Sequence, residues 1–328
     1  MPDAALGRTE RQFRNLLARA APDISVLFSL FSLSGIQRNE MGLRHLEANA
    51  YRSADEIAGS QLDAYVVTGT EPRRENLEDE PYWGAMKRLF NRLEHAQRPV
   101  IFSCLAAHAA VLHFDGPRRE RLPQKRFGMF EQVRTGRHEL TDGLGSAARV
   151  AHSRCNEIAP EALEQNGYRV LTLASDAGAD LFIKRDRETW LFCQGHPEYD
   201  ADALGREYQR DVRRFLAGER DSYPALPQNY FGGNDVESLA RFEKRADTMR
   251  CESVMADFPT LTFSQKCDEE FGPTAGGAFA VWLQNIVREK DAISGRTRAW
   301  PGERVTRASG LTPSARRRRL AQLAMLQG

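Results

Sequence analysis

Three side chains in two short segments have the chemistry for acyl transfer. Cys104 ends an apolar run in PVIFSCLAAHAA, and His196 and Glu198 follow a second apolar run in FCQGHPEYD. A thiolate is a strong nucleophile, an imidazole is a general base near neutral pH, and a carboxylate can fix the imidazole's tautomer. Pro197 restricts the backbone between the His and the Glu. The pattern predicts a Cys–His–Glu triad.

The surroundings of Cys104 favour a reactive thiol. A cysteine on a turn from strand to helix lies at the helix N-terminus, where backbone N–H groups and the helix dipole stabilise a thiolate. The N–H of Leu105 would then point to the place where an oxyanion forms. The strand in AYVVTGTEP ends near Gly69, whose backbone N–H is a candidate second donor, although an ordinary turn explains that segment equally well.

Other readings of these residues remain open at this point. A cysteine at the end of a buried strand is most often a small hydrophobic side chain, and we interpret Cys155 and Cys193 in that way. His-Pro pairs are common in loops, and Glu198 could simply face water. His108 lies four residues after Cys104 on the same predicted helix. We interpret His108 as a packing or lining residue, because a base there would leave no role for His196.

Apolar and amphipathic segments alternate along the chain, which predicts an α/β fold with a mainly parallel sheet. The predicted strands are 24–30, 64–68, 99–103, 168–174, 180–184 and 189–193. The predicted helices are 8–21, 82–97, 105–114 and 203–217. The last three strands are joined too closely for crossovers, so we expect an antiparallel or mixed portion there. Ligands gather at the carboxyl ends of strands in such sheets, which is where the predicted triad lies.

Composition and charge exclude several classes of function. The chain has 46 basic and 45 acidic residues, a formal charge of +1, so no overall field favours nucleic acid or an anionic membrane. Five cysteines without a CxxC pair argue against a disulfide framework or a zinc site and for a reducing compartment. Neither a membrane-length apolar run nor a secretory signal is evident. We therefore expect a cytoplasmic protein that binds small molecules.

Nine segments occur in a familiar order: MPDAALGRTERQF, VVTGTEP, YWGAMKRLF, SCLAAHAA, LPQKRFGMF, AHSR, GHPEYD, REYQRDV and PQNYFGGND. In this order they resemble the homoserine O-acyltransferases, which make O-succinyl- or O-acetylhomoserine for methionine synthesis. The resemblance implies the flavodoxin-like, three-layer fold of class I glutamine amidotransferases. We expect an acyltransferase domain at 1–235 and a mostly helical, charged C-terminal extension at 236–328.

The resemblance also implies a ping-pong reaction. Cys104 would take the acyl group from succinyl-CoA or acetyl-CoA, and His196, oriented by Glu198, would deprotonate the hydroxyl of L-homoserine. Three further residues match substrate-binding positions: Lys125, Ser153 and Arg210. The resemblance implies a homodimer. It implies no bound cofactor or metal and no nucleic-acid or membrane partner. A related transferase acting on serine or another hydroxy amino acid, and a glutamine amidotransferase or hydrolase of the same fold, are the alternatives.

The loop TEPRREN is where the family distinguishes acyl groups. Succinyl-transferring members carry a Gly there and acetyl-transferring members a Glu, whereas this chain aligns Arg73 with that position. Arg73 or Arg74 could pair with a succinyl carboxylate, which favours succinyl-CoA. A slip of two residues in the alignment would instead place Glu71 or Glu75 there.

The two ends of the sequence depart from the family. The family has an apolar strand before its Met-Pro motif, here Met1-Pro2; we expect that strand to lie upstream rather than to be lost from the sheet. After an insertion at 236–270 comes a candidate helix with Trp282 and then the run Arg316–Arg319. We expect this run on a solvated terminal helix rather than in an anion site.

Overall fold

The strands and helices follow one another largely as the sequence predicts. The computed structural model describes residues 3–57, 60–144, 147–261, 273–298 and 319–327. The strands are β1 (Ile24–Ser32), β2 (Arg52–Ser53), β3 (Ala64–Thr68), β4 (Val100–Ser103), β5 (Glu120–Arg134), β6 (Ala147–Glu157), β7 (Tyr168–Val170), β8 (Thr172–Ala174), β9 (Gly178–Ala179), β10 (Leu181–Lys184), β11 (Arg187–Cys193) and β12 (Arg319–Gln327). The helices are α1 (Leu6–Ala20), α2 (Glu40–Ala48), α3 (Trp83–Ala96), α4 (Leu105–Asp115), α5 (Glu139–Asp142), α6 (Pro160–Gln165), α7 (Ala203–Leu216), α8 (Gly233–Thr248) and α9 (Pro273–Arg298).

The larger sheet has the strand order β2-β1-β12-β3-β4-β11-β10-β7. Pairing is parallel from β2 to β11 and antiparallel at β10 and β7. This confirms the α/β class with a mainly parallel sheet. The segment predicted as one strand at 168–174 is divided, because Leu171 lies between β7 in this sheet and β8 in a second one.

The second sheet, β6-β5-β8-β9, is antiparallel and was not predicted. Its two long strands, β5 and β6, pair from Glu120 with Glu157 to Val133 with Ala147. The first half of β5 reads ERLPQKR, so a period-two apolar pattern is missing from this stretch. Polar side chains here line a cavity, and this is why the strand could not be recognised from hydrophobic alternation.

The C-terminal segment supplies a central strand. β12 lies between β1 and β3, parallel to both, with Leu323 facing Phe28 in register and Met325 facing Val66. The alternative that the sheet lost a strand is wrong, because β12 lies beside β1; a strand upstream of Met1 stays a prediction. The expected terminal helix is wrong for residues 319–327, since Arg319 begins a strand; residues 316–318 lie outside the described residues. A strand buried on both faces shows a nearly continuous apolar run and not an amphipathic period.

Helices cover both faces of the larger sheet. On one face α1 and α9 pack through Phe13, Leu17, Phe279 and Trp282 against Leu323. On the other face α3 and α4 pack against the strands, and α7 with α8 forms a separate cluster beside the second sheet. The helical character of the C-terminal region is thus confirmed at α8 and α9. A boundary at residue 235 stays a prediction. No helix among the described residues is long and apolar enough to cross a membrane.

Candidate active site

Cys104 occupies a strained turn between β4 and α4. Its φ of 53° and ψ of −118° are unusual for a residue with a side chain, and such strain persists only where the surroundings enforce it. The Cys104 N–H donates to the carbonyl of Cys193 at 2.8 Å, and its carbonyl accepts from Ala107 at 3.0 Å. These bonds fix the partly exposed thiol at the N-terminus of α4 and the carboxyl edge of the sheet.

His196 and Glu198 lie just beyond β11, close to Cys104. The His196 N–H donates to the carbonyl of Ala151 at 2.8 Å, which ties this turn to β6. Nδ1 of His196 lies 2.9 Å from Oε1 of Glu198, whose side chain is 5% exposed. Since a carboxylate only accepts, Nδ1 carries the proton and Nε2 is left to act on Cys104, which lines the same cavity. Glu198 therefore faces the imidazole and not water.

The charges at this site stabilise an imidazolium. Burial acts to lower the pKa of His196, but the charges of Cys104 and Glu198 and the hydrogen bonds to them outweigh it, so the pKa is raised well above its ordinary value. The ring of Tyr199 stacks on the imidazole with centroids 4.2 Å apart. A thiolate paired with an imidazolium is the form of cysteine that attacks acyl carbons.

Gly69 lies directly against Leu105, the residue after the nucleophile. A Cβ added at Gly69 would stand 2.7 Å from Cβ of Leu105 and 2.9 Å from its backbone N. Only a glycine permits this approach. The two residues predicted to supply oxyanion donors are therefore neighbours beside Cys104.

One cavity of about 370 Å³ joins the predicted residues. It is lined by the triad and by the three predicted substrate-binding side chains, Lys125, Ser153 and Arg210. The Ser153 hydroxyl donates to Oε2 of Glu207 at 2.5 Å. Nζ of Lys125 lies 3.3 Å from Oδ2 of Asp211, and Nη2 of Arg210 lies 2.9 Å from Oδ1 of the same carboxylate.

Arg73 does not reach this cavity. Its side chain is exposed and its backbone N–H donates to Oε1 of Glu80 at 2.6 Å. Glu71 and Pro72 of the same loop do line the cavity, and Glu71 forms an ion pair with Arg214 at 3.0 Å.

Several lining residues were missed by sequence reasoning. They are Arg8, Thr9 and Gln12 from α1, Arg119 and Arg121 before and within β5, Arg154 and Asn156 from β6, Tyr199 after the triad, and Glu207 from α7. Glu207 had a signal, since it lies three residues before Arg210 in a predicted helix and so on the same face. Arg119 and Arg121 had no such signal, because β5 was not predicted.

Two buried groups beneath the site are titratable. Nε2 of His108 donates to Oε1 of Gln194 at 2.9 Å, and burial lowers the pKa of His108 to about 3, so the ring is neutral. This neutral, buried ring agrees with a packing role. Burial also raises the pKa of Asp180 to about 6, although its Oδ1 accepts the Gly195 N–H at 2.7 Å. Among the described residues, no cluster of His, Cys, Asp or Glu could hold a metal ion.

Comparisons with known proteins bear on what this site does. Residues 1–270 match the homoserine O-succinyltransferase family model. The homoserine O-succinyltransferase of Rhodopseudomonas palustris is 42% identical over 88% of this chain and 86% of its own length. That of Methylorubrum extorquens is 42% identical over 90% of this chain and 87% of its own length.

Solved structures give a looser match. A glutamine amidotransferase from Thermotoga maritima shares 12% identity over 79% of this chain and 97% of that chain, with a TM-score of 0.45. One from Methylobacillus flagellatus shares 14% identity over 78% of this chain and 94% of that chain, with a TM-score of 0.46. The family match covers most of the chain, including the whole of the cavity: the protein is an acyltransferase of the homoserine O-succinyltransferase family.

Proposed function

We propose that this enzyme transfers the succinyl group of succinyl-CoA to the hydroxyl of L-homoserine, through a thioester on Cys104, in methionine biosynthesis. The observation that supports this most is the contact of Cys104, His196 and Glu198 at the edge of one cavity. The family of the chain and the names of its relatives support the two substrates.

The first half of the reaction loads the enzyme. The Cys104 thiolate attacks the thioester carbonyl of succinyl-CoA, and the N–H groups of Gly69 and Leu105 stabilise the oxyanion. Collapse breaks the bond to the CoA sulfur, which leaves as a thiol with the proton of the His196 imidazolium. One thioester replaces another, so this exchange is nearly balanced in free energy.

The second half-reaction transfers the acyl group from Cys104 to homoserine. Nε2 of the now neutral His196 takes the proton of the homoserine hydroxyl as its oxygen attacks the acyl carbon. The Glu198 carboxylate stabilises the imidazolium that forms. Collapse expels the Cys104 thiolate and releases the O-succinyl ester, which restores the original ion pair.

The acceptor site is built from opposite charges. Lys125 and Arg210 present N–H donors suited to an amino-acid carboxylate, and both are positioned by Asp211. Ser153 and Glu207, joined by a hydrogen bond, line the same cavity. Serine differs from homoserine by a single methylene, which is worth only about 1–3 kcal/mol of discrimination, so the acceptor has to be measured.

The test follows the covalent intermediate. Incubation with succinyl-CoA should place a succinyl adduct on Cys104, detected by peptide mass spectrometry, and homoserine should clear it faster than serine. Cys104→Ala should abolish the adduct in a folded protein. Cys193→Ala is the control: this fully buried thiol belongs to the core, so its loss should lower stability and spare transfer. An adduct formed from glutamine, or no adduct at all, would refute the proposal.

A further inference from the structure

The cations that line the cavity differ in what neutralises them. Lys125 and Arg210 face the carboxylates of Glu207 and Asp211. Arg154 is almost fully buried and donates from all three of its nitrogens, to the His152 ring and to the carbonyls of Asn156 and Ala177 among others. These three cations are thus already occupied by partners within the protein.

Arg119 differs from these three. Arg8 and Arg121 also line the cavity without an ion pair among the described residues, but of the lining cations only Arg119 has a buried nitrogen without a hydrogen-bond partner there. Its Nη2 donates to the backbone carbonyls of Glu75, at 3.0 Å, and Arg74, at 3.4 Å, which are neutral acceptors. Its Nε is buried and has no hydrogen-bond partner among the residues that the structure describes. Within that part of the chain, no carboxylate oxygen lies within 4.0 Å of this guanidinium. Arg119 nevertheless lines the cavity that contains Cys104.

The charge of Arg119 is only partly compensated. Burial acts to lower the pKa of this guanidinium, and the charges of Tyr82, Glu80 and Cys104 act against that without cancelling it. Glu80 forms no ion pair with Arg119 within 4.0 Å: its Oε1 accepts the backbone N–H groups of Arg73 and Arg74 at 2.6 and 2.7 Å, and its buried Oε2 has no hydrogen-bond partner among the described residues. A desolvated cation without an ion-pair partner is costly, so a site of this kind favours an anionic ligand.

We propose that Arg119 binds the free carboxylate of the acyl group that Cys104 accepts, and so selects a dicarboxylic acyl-CoA over an uncharged one. This rests on the proposed function, which brings an acyl group to Cys104. The planar guanidinium offers Nη1, which makes no hydrogen bond among the described residues, for a charge-assisted hydrogen bond to a carboxylate. Arg119 and Cys104 line the same cavity, and the charge of Cys104 acts to raise the pKa of Arg119.

The loop TEPRREN, where the family distinguishes acyl groups, contributes to this arrangement only indirectly. Arg73 and Arg74 direct their backbone N–H groups to Glu80, and Arg119 holds the carbonyls of Arg74 and Glu75. The side chains of Arg73 and Arg74 are exposed. The loop therefore contributes backbone that positions the cation, and the cation contacts the acyl group.

The experiment compares succinyl-CoA with butyryl-CoA, whose acyl chain has a methyl group in place of the carboxylate. Loading of Cys104 is measured without acceptor, so only the first half-reaction is observed. Arg119→Gln should lower kcat/KM for loading from succinyl-CoA by about 10- to 100-fold and leave loading from butyryl-CoA within about 3-fold. Arg119→Lys should restore part of the succinyl preference. Arg118→Gln is the control, because Arg118 is adjacent in sequence but has an exposed side chain that pairs with Glu78 outside the cavity.

Each outcome separates the hypotheses. Equal losses with both acyl-CoAs in Arg119→Gln would overturn the proposal, because the guanidinium would then act on the CoA portion or only on the loop. An unchanged succinyl preference in folded Arg119→Gln, or no recovery of that preference in folded Arg119→Lys, would overturn it as well. If the unmodified enzyme loads succinyl and butyryl groups equally well, this proposal fails and the proposed function survives; if it loads neither, the proposed function itself fails.

Discussion

His196 and Glu198 are joined by a 2.9 Å hydrogen bond between Nδ1 and Oε1 across the single residue Pro197. The other oxygen of Glu198, Oε2, is buried without a hydrogen-bond partner in the described part of the chain. The carboxylate therefore acts chiefly on the imidazole, and burying it would be unfavourable without the positive charge that it stabilises there. The pair fixes both the tautomer and the charge of His196.

Glu198→Gln separates charge from geometry. The amide oxygen can still accept from Nδ1, but the negative charge that raises the pKa of His196 is lost, while burial continues to lower it. The imidazolium then becomes a weaker partner for the thiolate. We expect alkylation of Cys104 by iodoacetamide near pH 7 to slow by about 10-fold, because less of the thiol is activated by the imidazolium. Site-resolved mass spectrometry measures the rate; an unchanged rate would mean that the carboxylate only orients the ring.

Gly195→Ala should displace the base. A methyl group there would stand 2.8 Å from Oδ1 of Asp180 and 2.9 Å from the carbonyl of Ala151, so the turn that carries His196 must move. We expect a loss of about 1–3 kcal/mol in the free energy of unfolding and about 100-fold in acyl transfer. Gly136→Ala is the control, because nothing lies within 4 Å of its added Cβ. Full activity in Gly195→Ala would show that the turn has room that the structure does not show.

The proximity of Cys104, His196 and Glu198 was predictable because they follow strongly apolar strands, and strand ends of a parallel sheet converge; their role as a triad stays a prediction. Cys104 and His196 lie at the ends of β4 and β11, which are adjacent in the sheet. The cation Arg119 was not predictable, because nothing in its sequence context distinguishes it from a solvated surface arginine. Its role depends on a carbonyl pair in a loop 44 residues away along the chain.

The position of β12 was beyond the reach of local patterns for another reason. Its apolar run LAQLAML predicts burial but does not specify which strands it joins. The pairing with β1 brings together residues almost 300 positions apart, from Ile24 and Arg319 onward. Expectations based on chain order did not place a C-terminal segment in the sheet, whereas β12 pairs with β1 and β3.

Asp180→Asn should change how stability depends on pH. The folded chain raises the pKa of Asp180 from 3.8 to about 6, so between these values the folded state holds a proton that the unfolded state has released. Stability from this group is therefore present at low pH and lost as pH rises through 6. Asparagine does not titrate. We expect the variant to gain on the order of 3 kcal/mol relative to the unmodified chain between about pH 4 and pH 7.

Urea unfolding at both ends of that pH range measures the gain. Asp176→Asn, at an exposed position on the turn before β9, should follow the pH dependence of the unmodified chain. A difference between Asp180→Asn and the unmodified chain that is constant with pH would show that the buried carboxyl does not titrate in this window.

Leu323→Ala tests whether β12 belongs to the core and supports the site. Leu323 is fully buried between the helices and the sheet, so Leu323→Ala should lower the free energy of unfolding by about 2–5 kcal/mol. Leu320→Ala is the control. Leu320 is 41% exposed on the same strand, so this variant should lose less than about 1 kcal/mol. The carboxyl end of β12 also contacts elements that line the cavity: Leu326 accepts from the Thr68 hydroxyl at 3.4 Å, and Gln327 donates to the Leu6 carbonyl at 3.4 Å. These contacts hold α1 and the end of β3, which form part of the cavity wall. We therefore expect Leu323→Ala to lose acyl-transfer activity at a lower temperature than Leu320→Ala. Residual activity after heating measures this. Equal stabilities for the two variants would mean that the C-terminal strand is not a structural part of the folded sheet.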